Sequence, residues 1–418
     1  MTNANNHEVQ HEVQQQKVWI TLGLIATAYI AGIANIQGFL ALLPLVQEEF
    51  FLTKTQVGLY SSFYFVSAIV MAVFSGKIVD HLGTKKGLVL GVSIAGFMMV
   101  LHAFAPYFSV LLFLAFFMGL TFSIVTPSAN KAALELARPD QRSFFMGIVH
   151  SGSGIGGVIG ATLLPVLGGI MGWRSPLIIT GLFAVLVAVL ILIYYRSPEA
   201  DHVQSHDGDM EITTLRESIG KFLQNRYLLS ICLMGFVIGG SASTAIGHYT
   251  VYLTGDLGYS STMAGICLGL IHAGGIVGQP TWGLLNETLL GGDRRRGLIL
   301  HGIIITALFL FYGLVISAVQ PPPVPVMLLS FLFGYNTIGV IAVYFTTVGE
   351  LAPKGNVGAF SGLGLVFPRT GMIVGPPVFG YIADFTTNYT FSWLFVGVVI
   401  CLLTVVFWYY SGRYKPQS

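Results

Sequence analysis

The chain has 418 residues, of which 54% are hydrophobic and only 9% are Asp, Glu, Lys or Arg. Because a soluble domain carries about 25% charged residues, this composition excludes a water-soluble globular protein and indicates one that lies mostly in lipid. The formal net charge is only +2 and the basic residues are scattered, which excludes nucleic acid as a partner. The three cysteines lack metal-ligand spacing, so neither a zinc site nor a disulfide framework is expected.

Twelve apolar runs are long enough to cross a bilayer. A transmembrane helix needs about 20 apolar residues, because each residue rises about 1.5 Å against a hydrocarbon core of about 30 Å. The hydrophilic start of the chain lacks the features of a secretory signal, so the first run is expected to stay as a span. The predicted spans are residues 18–46, 56–79, 86–105, 108–136, 143–170, 175–195, 228–254, 262–285, 297–318, 324–350, 356–383 and 390–411.

The lysines and arginines predict the orientation, because cytoplasmic loops retain them. With the amino terminus inside, all but four of the 20 basic residues fall in cytoplasmic segments. Lys54 and Arg174 fall outside, and Lys131 and Arg369 fall within spans. We therefore expect a multi-pass membrane protein with both termini in the cytoplasm. Its short loops and compact chain favour a bacterial inner membrane.

A long polar interruption divides the spans six and six. The predicted organisation is a cytoplasmic tail at 1–17, a six-helix bundle at 18–196, a linker at 197–227, a second bundle at 228–411 and a tail at 412–418. The acidic start of the linker is typical of a solvated segment, and Thr213 to Gln224 could form a short amphipathic helix on the membrane surface.

A charged loop pattern follows the second span and recurs in degenerate form after the eighth. In both copies a glycine precedes an acidic residue by four positions, and a glycine turn and a basic cluster follow. The repeat predicts that the two halves are copies of one unit. The first copy runs from Gly76 through Asp80, His81 and Gly83 to Lys85 and Lys86, and the second from Gly283 through Glu287 and Gly291 to Arg294, Arg295 and Arg296.

The first copy resembles the loop signature of the major facilitator superfamily, Gly-x-x-x-Asp-(Arg/His)-x-Gly-x-(Lys/Arg)-(Lys/Arg). With twelve spans and a central division, the resemblance covers essentially the whole chain. It implies an all-α integral membrane fold of two pseudo-symmetric six-helix bundles, working as a rocker-switch secondary transporter with a central site between the halves. We expect no cofactor, no metal and no enzymatic activity, and a monomer in contact with membrane lipid.

The loop residues suggest a conformational latch. Gly76 would allow close helix approach, Asp80 could pair with a basic group or cap a helix, and Gly83 would permit a tight turn. The latch would comprise these three residues with Lys85, Lys86 and Glu287. The alternative is that the lysines only set topology.

Spans five and eleven are rich in glycine. Small residues at four-residue spacing, as in Gly152-Gly156-Gly160 and Gly371-Gly375, make flat faces where backbones can touch. Family resemblance places both spans between the halves, where such faces would ease rocking, although static packing is an equal alternative. Span five lacks the Gly-Pro step of the drug-exporting branch.

Two basic residues fall within the membrane, where a charge needs a wet cavity or a partner. Arg369 lies near the midplane of span eleven and is the first candidate for binding an anionic substrate, because guanidinium grips oxyanions through two parallel hydrogen bonds. The alternative is a salt bridge with Glu135 or Glu350. Lys131, beside Asn130 in span four, is a second candidate, unless it snorkels to the cytoplasmic surface.

Other polar residues lie at membrane depth, although each could simply be a packed, hydrogen-bonded residue. Spans one, four, seven and ten line the cavity in the family fold, and a histidine could carry a coupling proton because its pKa lies near ~6.5. The candidate substrate contacts are Asn130, Asn35, Gln37, His248, Tyr252, Asn336 and Tyr344, and the candidate proton carriers are His150, His248 and His272.

These charges favour a transporter of a small, carboxylate-like organic anion, by proton symport or anion exchange. No acidic residue lies near the midplane, where exporters of cationic drugs usually need one. The alternative is a proton-coupled exporter of lipophilic drugs, suggested by the apolar lining and the glycine-rich fifth span.

Overall fold

The protein is built of long helices. The computed structural model describes residues 2–138, 141–195, 220, 222–352 and 357–412, and these residues contain no β-strand. The helices are α1 Thr2–Phe50, α2 Lys54–Leu82, α3 Thr84–His102, α4 Phe108–Leu136, α5 Arg142–Met171, α6 Arg174–Tyr194, α7 Arg226–Gly255, α8 Ser261–Thr288, α9 Arg294–Val319, α10 Pro323–Glu350, α11 Val357–Phe385 and α12 Thr390–Ser411.

Eleven of these described helices have the length and apolar composition of membrane spans. The exception is α11, whose glycines, three prolines and Arg369 dilute its apolar character although it is 29 residues long. Many large apolar side chains are exposed on the outer surface, for example Leu186 on α6 and Leu402 on α12. An apolar exterior over a helical bundle is the arrangement that lipid requires, because each helix satisfies its own backbone hydrogen bonds.

The helix ends follow from local chemistry. Thr53 begins α2 with a capping box, in which its hydroxyl accepts from the Gln56 backbone N–H and the Gln56 side chain accepts from the Thr53 N–H. Gly83 separates α2 from α3 with a φ of 80°, which confirms the tight turn expected there. Within α10, residues 338–340 form a turn that divides the helix into Pro323–Thr337 and Ile341–Glu350.

The two halves pack in the same pattern. In the first half α1 packs on α5, α2 on α4, and α3 on α6. In the second half α7 packs on α11, α8 on α10, and α9 on α12, which is the same set of pairs shifted by six helices. The halves meet mainly through α2 against α11 and α5 against α8, and these two contacts also exchange under that shift. The repeated contacts therefore give the pseudo-symmetric bundles predicted from the loop repeat.

The glycine stripes lie mostly inside each half. A Cβ at Gly152, Gly156 or Gly160 would meet the backbone of α1, and a Cβ at Gly371 or Gly375 would meet α7. The stripes therefore bring helices of the same half together, which corresponds to the static alternative. Other glycines face the opposite half, and the corresponding Cβ contacts are Gly157 with His272, Gly269 with Thr162, Gly58 with Pro376 and Gly380 with Lys54.

The predicted linker falls largely outside the described residues. Its acidic start and most of the proposed helix from Thr213 to Gln224 lie outside the described residues. Gly220 and residues 222–224 are described and are helical. Phe222 is buried, and its ring stacks on that of Phe367 in α11 with 6.3 Å between centroids. This end of the linker is thus packed against the second half, where a membrane-surface helix was expected.

Candidate functional site

A cavity of about 850 Å³ lies between the two halves. It is lined by α1, α2, α4 and α5 of the first half and by α7, α8, α10 and α11 of the second. Apolar side chains such as Ile36, Phe122, Ile246 and Met372 form most of its wall. A mostly apolar cavity with a few polar groups is typical of small-molecule sites, and its volume lies within their usual range of roughly 300–1,000 Å³.

Arg369 lines this cavity and is half-buried. It stands twelve residues into α11, directly after Pro368. The two carboxylates considered as its partners contact other residues: Glu350 pairs with Arg294 at 3.0 Å, and Glu135 accepts a hydrogen bond from Thr84 at 3.1 Å. Within the described part of the chain, no carboxylate forms an ion pair with Arg369. Its guanidinium therefore faces the cavity as a cation without a protein anion.

Several other candidates also line the cavity. Gln37 reaches it from α1, Asn130 from α4, His150 from α5 and His272 from α8. The Gln37 Oε1, Asn130 Oδ1 and His272 Nε2 atoms are buried without a hydrogen-bond partner in the protein. Ser61 on α2, which the sequence reasoning missed, lines the cavity as well, and its Oγ is buried in the same way. Its short side chain gave no signal within an apolar span.

Lys131 lies elsewhere. Its Nζ donates to Asp80 Oδ1 at 2.7 Å, at the predicted cytoplasmic end of α2 and α4, and it is absent from the cavity wall. The lysine stem runs away from the cavity because a partly exposed carboxylate is available near the membrane surface. Of the two predicted cations, only Arg369 therefore lies in the cavity wall as far as the structure describes it.

Five further candidates are buried outside the cavity wall. His248 bonds to the Tyr389 hydroxyl at 3.0 Å and to the Pro376 carbonyl at 2.8 Å, so both ring nitrogens have partners. The Tyr252 hydroxyl bonds to Ser317 Oγ at 3.0 Å. Asn336 pairs with His301, the Tyr344 hydroxyl donates to the Gly364 carbonyl at 2.7 Å, and Asn35 is almost fully buried. These candidates were chosen because their spans line the cavity in the family fold, and that choice does not show which face of each helix meets the cavity.

The loop clusters, defined here as the pair Asp80–Lys131 and the triad Glu287–Arg294–Glu350, each stay within one half. Arg294 lies 2.6 Å from Glu287 and 3.0 Å from Glu350. A Cβ on Gly76 would meet open space, so Gly76 does not mediate close helix approach in this conformation. Lys85 is half-buried and Lys86 exposed, without an ion pair to a described residue. The charges described at this end therefore form no latch between the halves.

The opposite end of the bundle is held by a cluster that joins the halves. This bridging cluster consists of Lys54, Thr55, Asp256, Asp384 and Tyr389. The Asp384 carboxylate, on α11, accepts from the Lys54 and Thr55 backbone N–H groups at 2.7 and 2.8 Å and from the Thr55 hydroxyl at 2.5 Å. It thus caps the amino terminus of α2 from the other half, where the helix dipole favours a negative charge.

Lys54 adds further contacts across the same boundary. Its Nζ donates to the Thr387 carbonyl at 2.7 Å, lies 3.9 Å from Asp256, and sits 4.6 Å from the centre of the Tyr389 ring. Burial raises the pKa of Asp256 above its usual value, opposed by the Tyr389 N–H and the Lys54 charge. The sequence offered a signal for this cluster, because Lys54, Asp256 and Asp384 all fall at predicted external span ends.

The cavity and the bridging cluster together define the conformation. Deeper in the boundary, Ser62 donates to the Ile373 carbonyl at 2.5 Å, joining α2 to α11 between the bridging cluster and the cavity. The cavity wall includes Ala72, Ser75, Gly147 and Pro280, which lie toward the predicted cytoplasmic end. The central space is thus closed off on the Lys54 side and reaches toward the other.

The sequence matches the model of the Major Facilitator Superfamily over residues 25–285 and 232–418, which together cover most of the chain. The chain belongs to this superfamily. It is therefore a multi-pass membrane transporter and not an enzyme, as the loop signature implied.

Relatives within the superfamily match along nearly the whole chain. The chain is 25% identical to the protein named "Probable sulfoacetate transporter SauU" of Cupriavidus necator, covering 91% of this chain and 90% of that protein. It is 22% identical to the hexuronate transporter of Bacillus subtilis, covering 90% and 91%. It is also 20% identical to multidrug resistance protein 1 of Bacillus subtilis, covering 96% and all of that protein.

A solved structure has the same fold. The bacterial homologue of the human lysosomal transporter Spinster, crystallised in an inward-facing and unoccupied conformation, superposes with a TM-score of 0.83 over 96% of this chain and 99% of that one. The two sequences are 15% identical, so the likeness concerns the fold. Together with the helix pairing, it confirms the all-α architecture expected from the sequence.

Proposed function

We propose that this superfamily member is a secondary active transporter of a small organic anion, working by alternating access. One observation carries the proposal: Arg369 lies in the central cavity without an ion-pair partner among the described residues. A buried guanidinium is costly unless an anion compensates it, and a bound carboxylate or sulfonate would do so through two charge-assisted hydrogen bonds. Relatives named for sulfoacetate and hexuronate transport support the same class of substrate.

The proposal also includes the location of the transporter in a bacterial inner membrane and its coupling to protons or to a second anion. The distribution of lysine and arginine supports a bacterial inner membrane with both termini in the cytoplasm. His150 and His272 line the cavity and are the candidate proton carriers for symport, whereas anion exchange would need neither. His248 is less suitable because both of its nitrogens are engaged by Tyr389 and Pro376. Uptake into liposomes with and without a proton gradient separates the two modes.

The test is anion-dependent thermal stabilisation of the purified protein. Monocarboxylates, dicarboxylates, sulfonates and inorganic anions are screened first, and Arg369→Ala is then measured with each stabilising anion. Loss of two charge-assisted hydrogen bonds of about 1.5–3 kcal/mol each should weaken binding roughly a hundredfold or more and abolish the shift. The unliganded variant should melt no lower than the wild type, because it loses an uncompensated charge.

Lys131→Ala serves as the matched control, because it removes a cation of similar size that lies outside the cavity wall. It should keep the full anion-dependent shift. If Arg369→Ala binds the same anions as tightly as the wild type, the role proposed for Arg369 is wrong.

A second candidate function is proton-coupled export of lipophilic compounds. It is favoured by the apolar cavity wall and by the similarity to multidrug resistance protein 1. Expression in an efflux-deficient bacterial host, challenged with dyes and antibiotics, tests it directly. Growth protection that persists in Arg369→Ala would favour the exporter over the anion transporter.

A further inference from the structure

An aromatic cluster forms part of the cavity wall on the side of the first half. This aromatic wall, defined here as Tyr64, Phe65 and Phe122, comes from α2 and α4. The Tyr64 ring centre lies 5.3 Å from that of Phe65, with the ring planes at 87°, and 6.5 Å from that of Phe122. Phe65 and Phe122 are half-buried, so the protein does not cover their rings completely. The wall therefore offers ring surface that a ligand can cover.

Arg369 faces this aromatic wall from the second half. The Tyr64 hydroxyl lies within direct electrostatic range of the Arg369 guanidinium, although the two residues belong to α2 and α11. The cation and the rings are thus adjacent in one space of about 850 Å³. A compact ligand can contact both when its anionic group is attached directly to an apolar body.

The polar groups of the cavity wall do not serve that apolar body. Ser123 Oγ donates to the Ala68 carbonyl at 3.0 Å, so it is satisfied within the protein. The exposed polar side chains of His150 and Gln279 lie nearer the predicted cytoplasmic ends of their helices than Arg369 does. Four further polar atoms are covered by protein and do not open into the cavity, namely Gln37 Oε1, Ser61 Oγ, Asn130 Oδ1 and His272 Nε2.

This distribution disfavours a hydroxylated ligand. A hydroxyl group packed beside the aromatic wall would lose its hydrogen bonds to water without replacement by the protein, which is unfavourable. A flat apolar ring loses no hydrogen bonds there. Aromatic pairs also prefer edge-to-face contacts, and the perpendicular rings of Tyr64 and Phe65 present a face and an edge side by side. An aromatic ring is therefore favoured over a saturated ring of the same size.

We propose that the preferred ligand of the cavity is an aromatic carboxylate, with its carboxylate on Arg369 and its ring against Phe65 and Phe122. The inference rests on the proposed function, because it names the substrate class of the same site. It excludes hydroxylated sugar acids and saturated carboxylates as preferred ligands.

The experiment compares carboxylates built on a six-membered ring, at pH 7.5 on the full-length protein in detergent. Benzoate is aromatic, cyclohexanecarboxylate has the same carbon skeleton with a saturated ring, and glucuronate carries hydroxyl groups on its ring. By calorimetry, benzoate should bind about two- to tenfold more tightly than cyclohexanecarboxylate. Glucuronate should bind at least roughly tenfold more weakly than benzoate. Benzamide, the uncharged counterpart of benzoate, should also bind at least roughly tenfold more weakly.

A pair of variants on α4 tests the ring contact. Phe122→Leu keeps an apolar side chain but removes the ring, so the ratio of benzoate to cyclohexanecarboxylate affinity should fall toward one. Measurable binding of cyclohexanecarboxylate shows that the variant is folded. Phe113→Leu is the matched control, because Phe113 lies on the same helix, is mostly exposed and is absent from the cavity wall. This control should keep the wild-type ratio.

The outcomes separate this inference from the proposed function. If the wild type binds benzoate no more tightly than cyclohexanecarboxylate or glucuronate, the inference is overturned and the anion transporter stands. An affinity ratio that Phe122→Leu leaves unchanged also overturns it. If benzamide binds as tightly as benzoate, or if no carboxylate binds here or in the anion screen, both the inference and the proposed function are rejected.

Discussion

The two ends of the bundle use their charges differently. At the Lys54 end, Asp384 caps α2 from the opposite half and Lys54 reaches Thr387 and Asp256, so the charged groups join the two halves. At the predicted cytoplasmic end, Asp80 pairs with Lys131 and Arg294 with Glu287 and Glu350, each within one half. Similar residue types therefore hold the halves together at one end and brace single halves at the other.

Whether a charged group joins the two halves depends on where its partner lies and not on its residue type. Asp80 and Asp384 both lie near helix ends, yet only Asp384 accepts hydrogen bonds from donors on the other half. Opening the Lys54 end must break these hydrogen bonds, while opening the other end need break none of the loop clusters. The predictions below compare the two ends with spin labels at Phe51 and Phe391, which are exposed at the Lys54 end, after replacement of the exposed Cys401.

The largest effect is expected from Gly380→Ala. Its Cβ would collide with the backbone of Lys54, and because neither backbone can yield, α11 and α2 must separate. Forced overpacking costs about 1–3 kcal/mol or more, enough to shift the population from a short to a long label distance. Double electron–electron resonance measures that distance. Gly76→Ala is the control, because its Cβ meets open space; a distance unchanged in both variants would contradict the close approach.

Asp384→Ala should have the next largest effect. It removes three hydrogen bonds to the first turn of α2, of which two come from backbone N–H groups. Because these three bonds are exposed and water can replace the lost carboxylate, the net loss is about that of one charge-assisted bond, 1.5–3 kcal/mol. The open population at the Lys54 end should therefore rise roughly 10- to 100-fold. Asp80→Ala removes an exposed ion pair within one half and should leave the distance unchanged. Equal responses of the two variants would remove the distinction between the ends.

The smallest effect is expected from Asp256→Asn, with a sign that depends on pH. Burial raises the pKa of Asp256 in the closed arrangement, so its protonated form favours closure. That contribution is complete below the solvent-exposed value, near ~3.9, and is lost as pH rises through the raised value. The wild type should therefore close further as the pH is lowered from 7.5 toward that exposed value. Asp256→Asn should differ less than about fivefold from the wild type at pH 7.5, and it should lack this group's acid response.

Much of the fold could be predicted from the sequence because lipid imposes a strong constraint. Spans, turn positions such as Gly83 and the internal repeat follow from composition and spacing alone. Within the site, Arg369, Gln37, Asn130, His150 and His272 were predicted and lie in the cavity wall. An ionisable group at membrane depth has few reasons to exist other than a cavity or a partner.

The residues that were misplaced or missed depend on contacts between helices, which the sequence does not show. The sequence of a helix that is apolar on all sides does not show which of its faces meets the cavity. Asn336 and Tyr344 lie on faces of α10 that are turned away from the cavity. Lys131 was misplaced because its long side chain reaches Asp80 on the neighbouring helix α2. The bridging cluster was missed because its members come from the ends of spans two, seven, eleven and twelve, and only the tertiary arrangement brings them together.

Helix α11 carries both the cavity cation Arg369 and Asp384, the carboxylate that caps α2. Arg369 and Asp384 lie fifteen residues apart on α11, about 22 Å along its axis. A bound anion that displaces Arg369 would therefore also displace α11, whose Asp384 is hydrogen-bonded to α2 of the other half. Pro376 and Pro377 lie within the helix between these two points, where each removes a backbone hydrogen-bond donor. If Arg369 binds the anion as proposed, binding in the cavity and opening at the Lys54 end would be coupled through this one helix.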